Sequence, residues 1–150
     1  ERDLQIIPIG KAEVLRDGND ILITAIGSSV LPAINASRLL EDAGISACVV
    51  NARFAKPLDT DLLGSLAKEI KRVLTVEENT LEGGFGSAVL ECLTELNIDG
   101  LKIKRLGLPD KFIEHGSQKI LRNKLGLDAE GIAKAALLLV GKRERVLKQG

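Results

Sequence analysis

Val73-Leu74-Thr75-Val76-Glu77-Glu78-Asn79-Thr80-Leu81-Glu82-Gly83-Gly84-Phe85-Gly86-Ser87-Ala88-Val89 is the stretch on which the reading of this chain turns. An apolar, β-branched run stops at two adjacent carboxylates, a glycine-rich turn follows, and a helical pattern begins. The order is strand, loop, helix, with Glu77 and Glu78 at the carboxyl end of the strand. In open α/β sheets that end is where sites and contact surfaces gather. Gly83, Gly84 and Gly86 permit positive φ and close backbone approach. The plainer reading of the same glycines is a tight turn that packs the helix against the sheet.

Familiar glycine motifs fail here on spacing. Val89 stands where a dinucleotide fingerprint needs its third glycine, and no lysine follows the glycines as a triphosphate-binding loop requires. Ser87 lacks the glycine two residues on that a nucleophile elbow needs. The stretch therefore marks a place rather than a reaction. Two adjacent carboxylates repel unless solvated or met by a cation, and Phe85 between glycines is poorly placed to bury itself in its own core. The expectation is a contact loop of Glu77, Glu78, Gly83, Gly84, Phe85 and Gly86 at a subunit or interdomain surface, with Arg53 of a neighbouring strand as counter-charge. The alternative is that Phe85 folds back under the loop and the carboxylates meet only water.

Outward from this stretch, the pattern alternates. Ile21–Ile26, Ala47–Asn51 and Arg72–Val76 are near-continuous apolar runs, expected of central parallel strands covered on both faces. Lys11 to Arg16 alternates weakly before Asp17-Gly18-Asn19-Asp20, which predicts a hairpin leading into the first buried strand. Lys102 and Lys104 alternate with Leu101 and Ile103, the mark of an edge strand or one with a wet face. Between the strands lie helical patterns. Ser29 is placed to cap the first, with Pro32 in its first turn and Gly44 past its end. Asp59 caps the second, whose Leu62, Leu63, Leu66, Ala67 and Ile70 recur at helical spacing. Val89, Leu90, Leu93 and Leu96 face inward on the third. Ser117 and Asp128 cap two short helices at the end. The fold class is α/β: a three-layer α/β/α sandwich with a five-stranded, mostly parallel sheet and one antiparallel edge strand.

The 150 residues are enough for one ordinary domain with its own core, at 45% hydrophobic and 28% charged. Residues 1–10 read as the end of an interdomain linker, 11–140 as the domain and 141–150 as a basic, solvated tail; the lack of an initiator Met suggests a piece of something longer. Lys plus Arg equals Asp plus Glu, and the three Phe are the only aromatics besides His115. With neither a basic field nor stacking platforms, nucleic acid and anionic membranes are not expected partners. No apolar run is long enough to span a bilayer. Cys48 and Cys92 with one histidine cannot make a zinc site; buried, reduced thiols are expected, suiting a reducing compartment. His115, alone beside a turn, reads as structural or solvated rather than catalytic.

Three stretches carry a resemblance. Ala52-Arg53-Phe54-Ala55-Lys56-Pro57-Leu58-Asp59 resembles a segment shared by transketolase C-terminal domains and 2-oxo acid dehydrogenase β-subunits. Thr75 to Val89 resembles the same family's carboxylate–glycine loop. Leu106-Gly107-Leu108-Pro109-Asp110-Lys111-Phe112-Ile113-Glu114-His115-Gly116, with Gly126-Leu127-Asp128 and Gly131-Ile132, is similar to one synthase branch of that family. The resemblance spans most of Ala52 to Ile132. It implies a parent enzyme that condenses pyruvate with glyceraldehyde 3-phosphate, loses CO2 and forms a deoxyxylulose phosphate for isoprenoid, thiamine and pyridoxal synthesis. Thiamine diphosphate and Mg2+ would be held by domains N-terminal to this one. Asp17-Gly18-Asn19 is no metal motif of that kind, since Arg16 stands where its glycine belongs. No catalytic, cofactor-binding or metal-binding residue carries over. What the resemblance implies for this chain is a structural, homodimer-forming third domain of a protein that is cytoplasmic in bacteria or in the plastid stroma of a plant or alga. Rival readings are the equivalent domain of a transketolase or dehydrogenase β-subunit, and a free-standing flavodoxin-like interaction module.

Overall fold

The computed structural model describes residues 6–113 and 115–142. Residues 1–5 of the expected linker and 143–150 of the expected tail lie outside them. Five strands, β1 (Glu13–Arg16), β2 (Ile21–Ala25), β3 (Ala47–Asn51), β4 (Arg72–Thr80) and β5 (Lys102–Leu108), form one sheet in the order β1-β3-β2-β4-β5. β2, β3, β4 and β5 are mutually parallel, and β1 runs antiparallel at the edge beside β3. Among the described residues the α-helices are α1 (Val30–Asp42), α2 (Thr60–Ile70), α3 (Phe85–Glu95), α4 (Gln118–Leu125) and α5 (Ala129–Val140).

Strand side chains alternate between faces, and the apolar residues divide accordingly. Ile21, Ile23, Val49, Leu74 and Val76 pack under α1 and α5 with Ala33, Ala36, Leu40, Ile132 and Leu137. Leu22, Cys48, Val50 and Val73 pack under α2 and α3 with Leu63, Ala67, Phe85, Val89 and Leu93. Every residue of β2 is buried, because strands cover both its edges and helices both its faces. The three strands expected to be central are central, and β5, with Lys102 and Lys104 exposed, is the far edge.

The expected hairpin does not form. β1 pairs with β3, in the register Glu13↔Asn51 and Val14↔Val50, and has no ladder with β2. The Asp17–Asp20 turn carries the chain past the start of β3 instead: Asp20 accepts the Ser46 amide at 2.8 Å, and a side chain on Gly18 would collide with the backbone of Ala47. Local turn chemistry is indifferent to which strand receives the arm; a nearly all-apolar β2 is better buried between β3 and β4, which leaves the edge for β1.

Caps follow the sequence with one exception. Asp59 accepts the Leu62 amide at 3.3 Å, Ser117 that of Ile120 at 3.4 Å and Asp128 that of Gly131 at 2.9 Å. Ser29 makes no cap bond. A single 3-10 turn, Gly27–Ser29, precedes α1, and it holds Ser29 in helical φ/ψ with its buried hydroxyl unpartnered among the described residues. On α3, Val89 and Leu93 face inward as expected, whereas Leu90 and Leu96 are 36% and 38% exposed.

Candidate functional site at the carboxyl ends of β2 and β4

The chain leaves β2 for β3 on one side and later leaves β4 for β5 on the other. The switch in direction thus lies between β2 and β4, where open α/β sheets form their crevice. Glu77 and Glu78 end this part of β4, and neighbouring strand positions send them to opposite faces. Their environments differ completely.

Glu77 is fully buried on the α3 face. One carboxylate oxygen accepts the Phe85 amide and the other the Gly86 amide, each at 2.7 Å. These are two of the first amides of α3, which have no partner within the helix, so a buried negative charge meets the positive end of the helix dipole. The glycines make this possible. A side chain on Gly84 would overlap the Thr80 carbonyl and the Glu77 carboxylate; one on Gly86 would sit 2.6 Å from Thr75 Oγ1 and 3.1 Å from Glu77 Oε1. Gly107 on β5 leaves room for the Glu77 stem in the same way. Arg105 closes the turn from β5, donating to the Leu81 carbonyl at 2.8 Å and to Ser87 Oγ at 2.7 Å.

Glu78 is half-buried and faces the crevice. It accepts hydrogen bonds from Arg122 Nε of α4 and from the Ser28 hydroxyl ahead of α1. The carboxylate therefore ties together three segments that are remote in sequence. Its hydrogen bond from Arg122, opposed by burial and helped by Ser28, holds the Glu78 carboxyl below the ordinary glutamate range. Beside this pair lies a cleft of about 340 Å³ whose lining includes Leu108, Leu121 and Leu127, with His115 on its wall.

The expected contact loop is thus revised at three points. Phe85 is 3% exposed and belongs to the core under α3, where Val89 and Leu93 pack. The turn from Leu81 to Gly84 points the first residue of the helix inward, so an aromatic after two glycines has a core position after all. Glu77 is not a loop residue but part of β4, which runs on to Thr80. Arg53 is not the counter-charge: it pairs with Glu13 of β1 at 2.6 Å, while Glu78 takes Arg122 and Glu77 takes backbone amides. Of the remaining residues, Gly83 is exposed and Glu78 and Gly84 are partly so; Gly86 is buried. Sequence reasoning missed Arg122 and Ser28, which carry no local signal for a carboxylate so far away in the chain.

Among the described residues, no group of three His, Cys, Asp or Glu is placed to hold a metal ion, and no helix is long and apolar enough to cross a membrane. The glycine-lined helix end is filled by the chain's own carboxylate, so it does not fit a diphosphate. Cys48 and Cys92 are both free thiols; Cys48 is buried and Cys92 half-buried.

A doubly wound sheet with an antiparallel first edge strand, and a carboxylate seated on the glycine-lined end of α3, defines an α/β domain of the transketolase C-terminal kind. The chain belongs to the family described as transketolase, C-terminal domain, which matches residues 10–132. It is 50% identical over 143 residues to a 1-deoxy-D-xylulose-5-phosphate synthase of Halothermothrix orenii, covering 95% of this chain and 22% of that protein. The corresponding synthase of Gloeobacter violaceus is 56% identical over 128 residues, covering 85% of this chain and 20% of that protein. The chain thus spans about a fifth of the length of these relatives. A split-gene transketolase solved as an inactive β4 tetramer superposes with a TM-score of 0.84 at 34% identity, over 95% of this chain and 46% of that one. A transketolase variant from Pichia stipitis shares the fold, with a TM-score of 0.61 at 23% identity over 89% of this chain and 19% of that one.

Proposed function

We propose that this chain is the third, C-terminal domain of a 1-deoxy-D-xylulose-5-phosphate synthase, with residues 11–140 as the domain, the preceding residues as linker and the following ones as a basic tail. The observation that carries the reading is the identity of half the residues across nearly the whole chain with a protein of that name. The whole enzyme would condense pyruvate with glyceraldehyde 3-phosphate in the cytoplasm of a bacterium, on thiamine diphosphate and Mg2+ bound outside this chain. This domain supplies structure and a share of the homodimer contact, and by itself turns nothing over. Its contact surface is the exposed side of the turn after β4, around Glu78 and Gly83, with the partly exposed Arg53 as a further candidate; buried Glu77, Phe85 and Gly86 shape that turn from beneath.

The test uses the full-length protein. It is expected to form 1-deoxy-D-xylulose 5-phosphate from the two substrates, and absence of that product overturns the enzymatic reading. Glu82→Arg on the exposed turn, measured by mass in solution on dilution, is expected to raise the monomer fraction. An unchanged dimer removes the turn from the interface while leaving the enzymatic reading intact.

A further inference from the structure

The cleft beside the Glu78–Arg122 pair has a composition that the family assignment does not explain. Its floor is aliphatic, built by Leu108 at the end of β5, Leu121 and Leu125 of α4, and Leu127 of the turn after it. At about 340 Å³ it falls at the small end of the range for ligand pockets. One wall carries Arg122, whose side chain is 25% exposed. Arg122 gives only Nε to Glu78; among the described residues neither of its terminal nitrogens, Nη1 and Nη2, has a hydrogen-bond partner. A guanidinium fixed through Nε presents its two terminal NH2 groups as a planar fork, the geometry that receives a carboxylate or phosphate in two parallel bonds.

We infer that this cleft binds a small aliphatic carboxylate, its hydrocarbon body on the leucines and its head group on the Nη edge of Arg122. The leucine floor decides between the two oxyanions: a hydrocarbon body covers apolar surface that a bare phosphate leaves wet. Ser28, holding the other oxygen of Glu78, keeps that carboxylate turned and Arg122 with it. The site rests on the side chains of this domain alone and does not depend on the synthase reading.

The probe is isovalerate, titrated into methyl-labelled full-length protein while the signals of Leu121, Leu125 and Leu127 are followed, so that binding elsewhere in the enzyme is not counted. Saturable shifts in the millimolar range are expected, where ligands of so few atoms fall. Isoamyl alcohol, with the same body and no charge, is expected to bind at least about tenfold more weakly. Equal shifts with the alcohol, equal competition by inorganic phosphate, or no saturable shift each overturn the inference. Arg122→Gln is expected to lose the preference for acid over alcohol. Because that change orphans Glu78, the pair Glu78→Gln with Arg122→Gln serves where the single variant fails to fold, and retention of the preference in it overturns the inference as well.

Discussion

Glu77 and Phe85 are joined by a 2.7 Å hydrogen bond from the Phe85 amide to the buried Glu77 carboxylate, eight residues back along the chain. With the matching bond from Gly86, it fixes where α3 begins and which way its first side chain points. A buried carboxylate is costly unless it is hydrogen-bonded, and here each oxygen accepts one amide that would otherwise have been an orphan itself.

Removing that charge should loosen the start of α3. Glu77→Gln places an NH2 group against an amide donor, so one of the two bonds becomes a donor–donor contact. A loss of about 2–3 kcal/mol of folding stability is expected in urea unfolding, with protection of the Phe85 and Gly86 amides from hydrogen exchange reduced.

Gly86→Ala tests the space rather than the charge. Its methyl would stand 2.6 Å from Thr75 Oγ1 within the central strand and 3.1 Å from Glu77 Oε1, neither of which has room to retreat. A cost of about 1–3 kcal/mol is expected, whereas Gly83→Ala on the exposed turn should act only through its φ of 70°, at about 1 kcal/mol.

Phe85→Ala separates a core role from a contact role. At 3% exposure the ring packs under α3, so truncation is expected to cost about 3–5 kcal/mol of stability. The dissociation constant of any dimer, measured well below the melting temperature, should move little. A stable variant that dissociates would reverse this assignment.

Acid should release the tie between β4 and α4. Arg122, despite the opposing effect of burial, depresses the Glu78 carboxyl, so folding favours its charged form. The contribution is complete above the unfolded glutamate value of about 4.3 and is lost as pH falls through the lower folded value. Asp59 behaves in the same direction: burial raises it, but the amides of Ala12 and Leu62 and the Lys11 ammonium outweigh burial. Glu78→Gln is expected to flatten the acid limb of a plot of urea midpoint against pH and to leave the Asp59 part in place.

Thiol reactivity should follow burial. Desolvation, with the charge of Asp17 added, pushes the Cys48 thiol up to about 11, and burial with Glu95 raises Cys92. In native protein at neutral pH a disulfide reagent is expected to reach half-buried Cys92 first and to leave Cys48 untouched until urea is added.

What the sequence determined by itself was everything that depends on near neighbours and on composition. The near-continuous apolar runs Ile21–Ala25, Ala47–Val50 and Val73–Val76 required cover on both faces, so their parallel, central placement followed from hydrophobicity alone. Asp59, Ser117 and Asp128 announced their helices because a cap bond spans three residues. The switch of β1 from β2 to β3, the burial of Phe85 and the partners of Glu77, Glu78 and Arg53 were decided only in three dimensions. Each depends on which distant segment fills the adjacent space. Two adjacent glutamates look alike as letters; the pleat sends one to the start of α3 and the other to an arginine 44 residues on, and only the packed sheet sets those two environments apart.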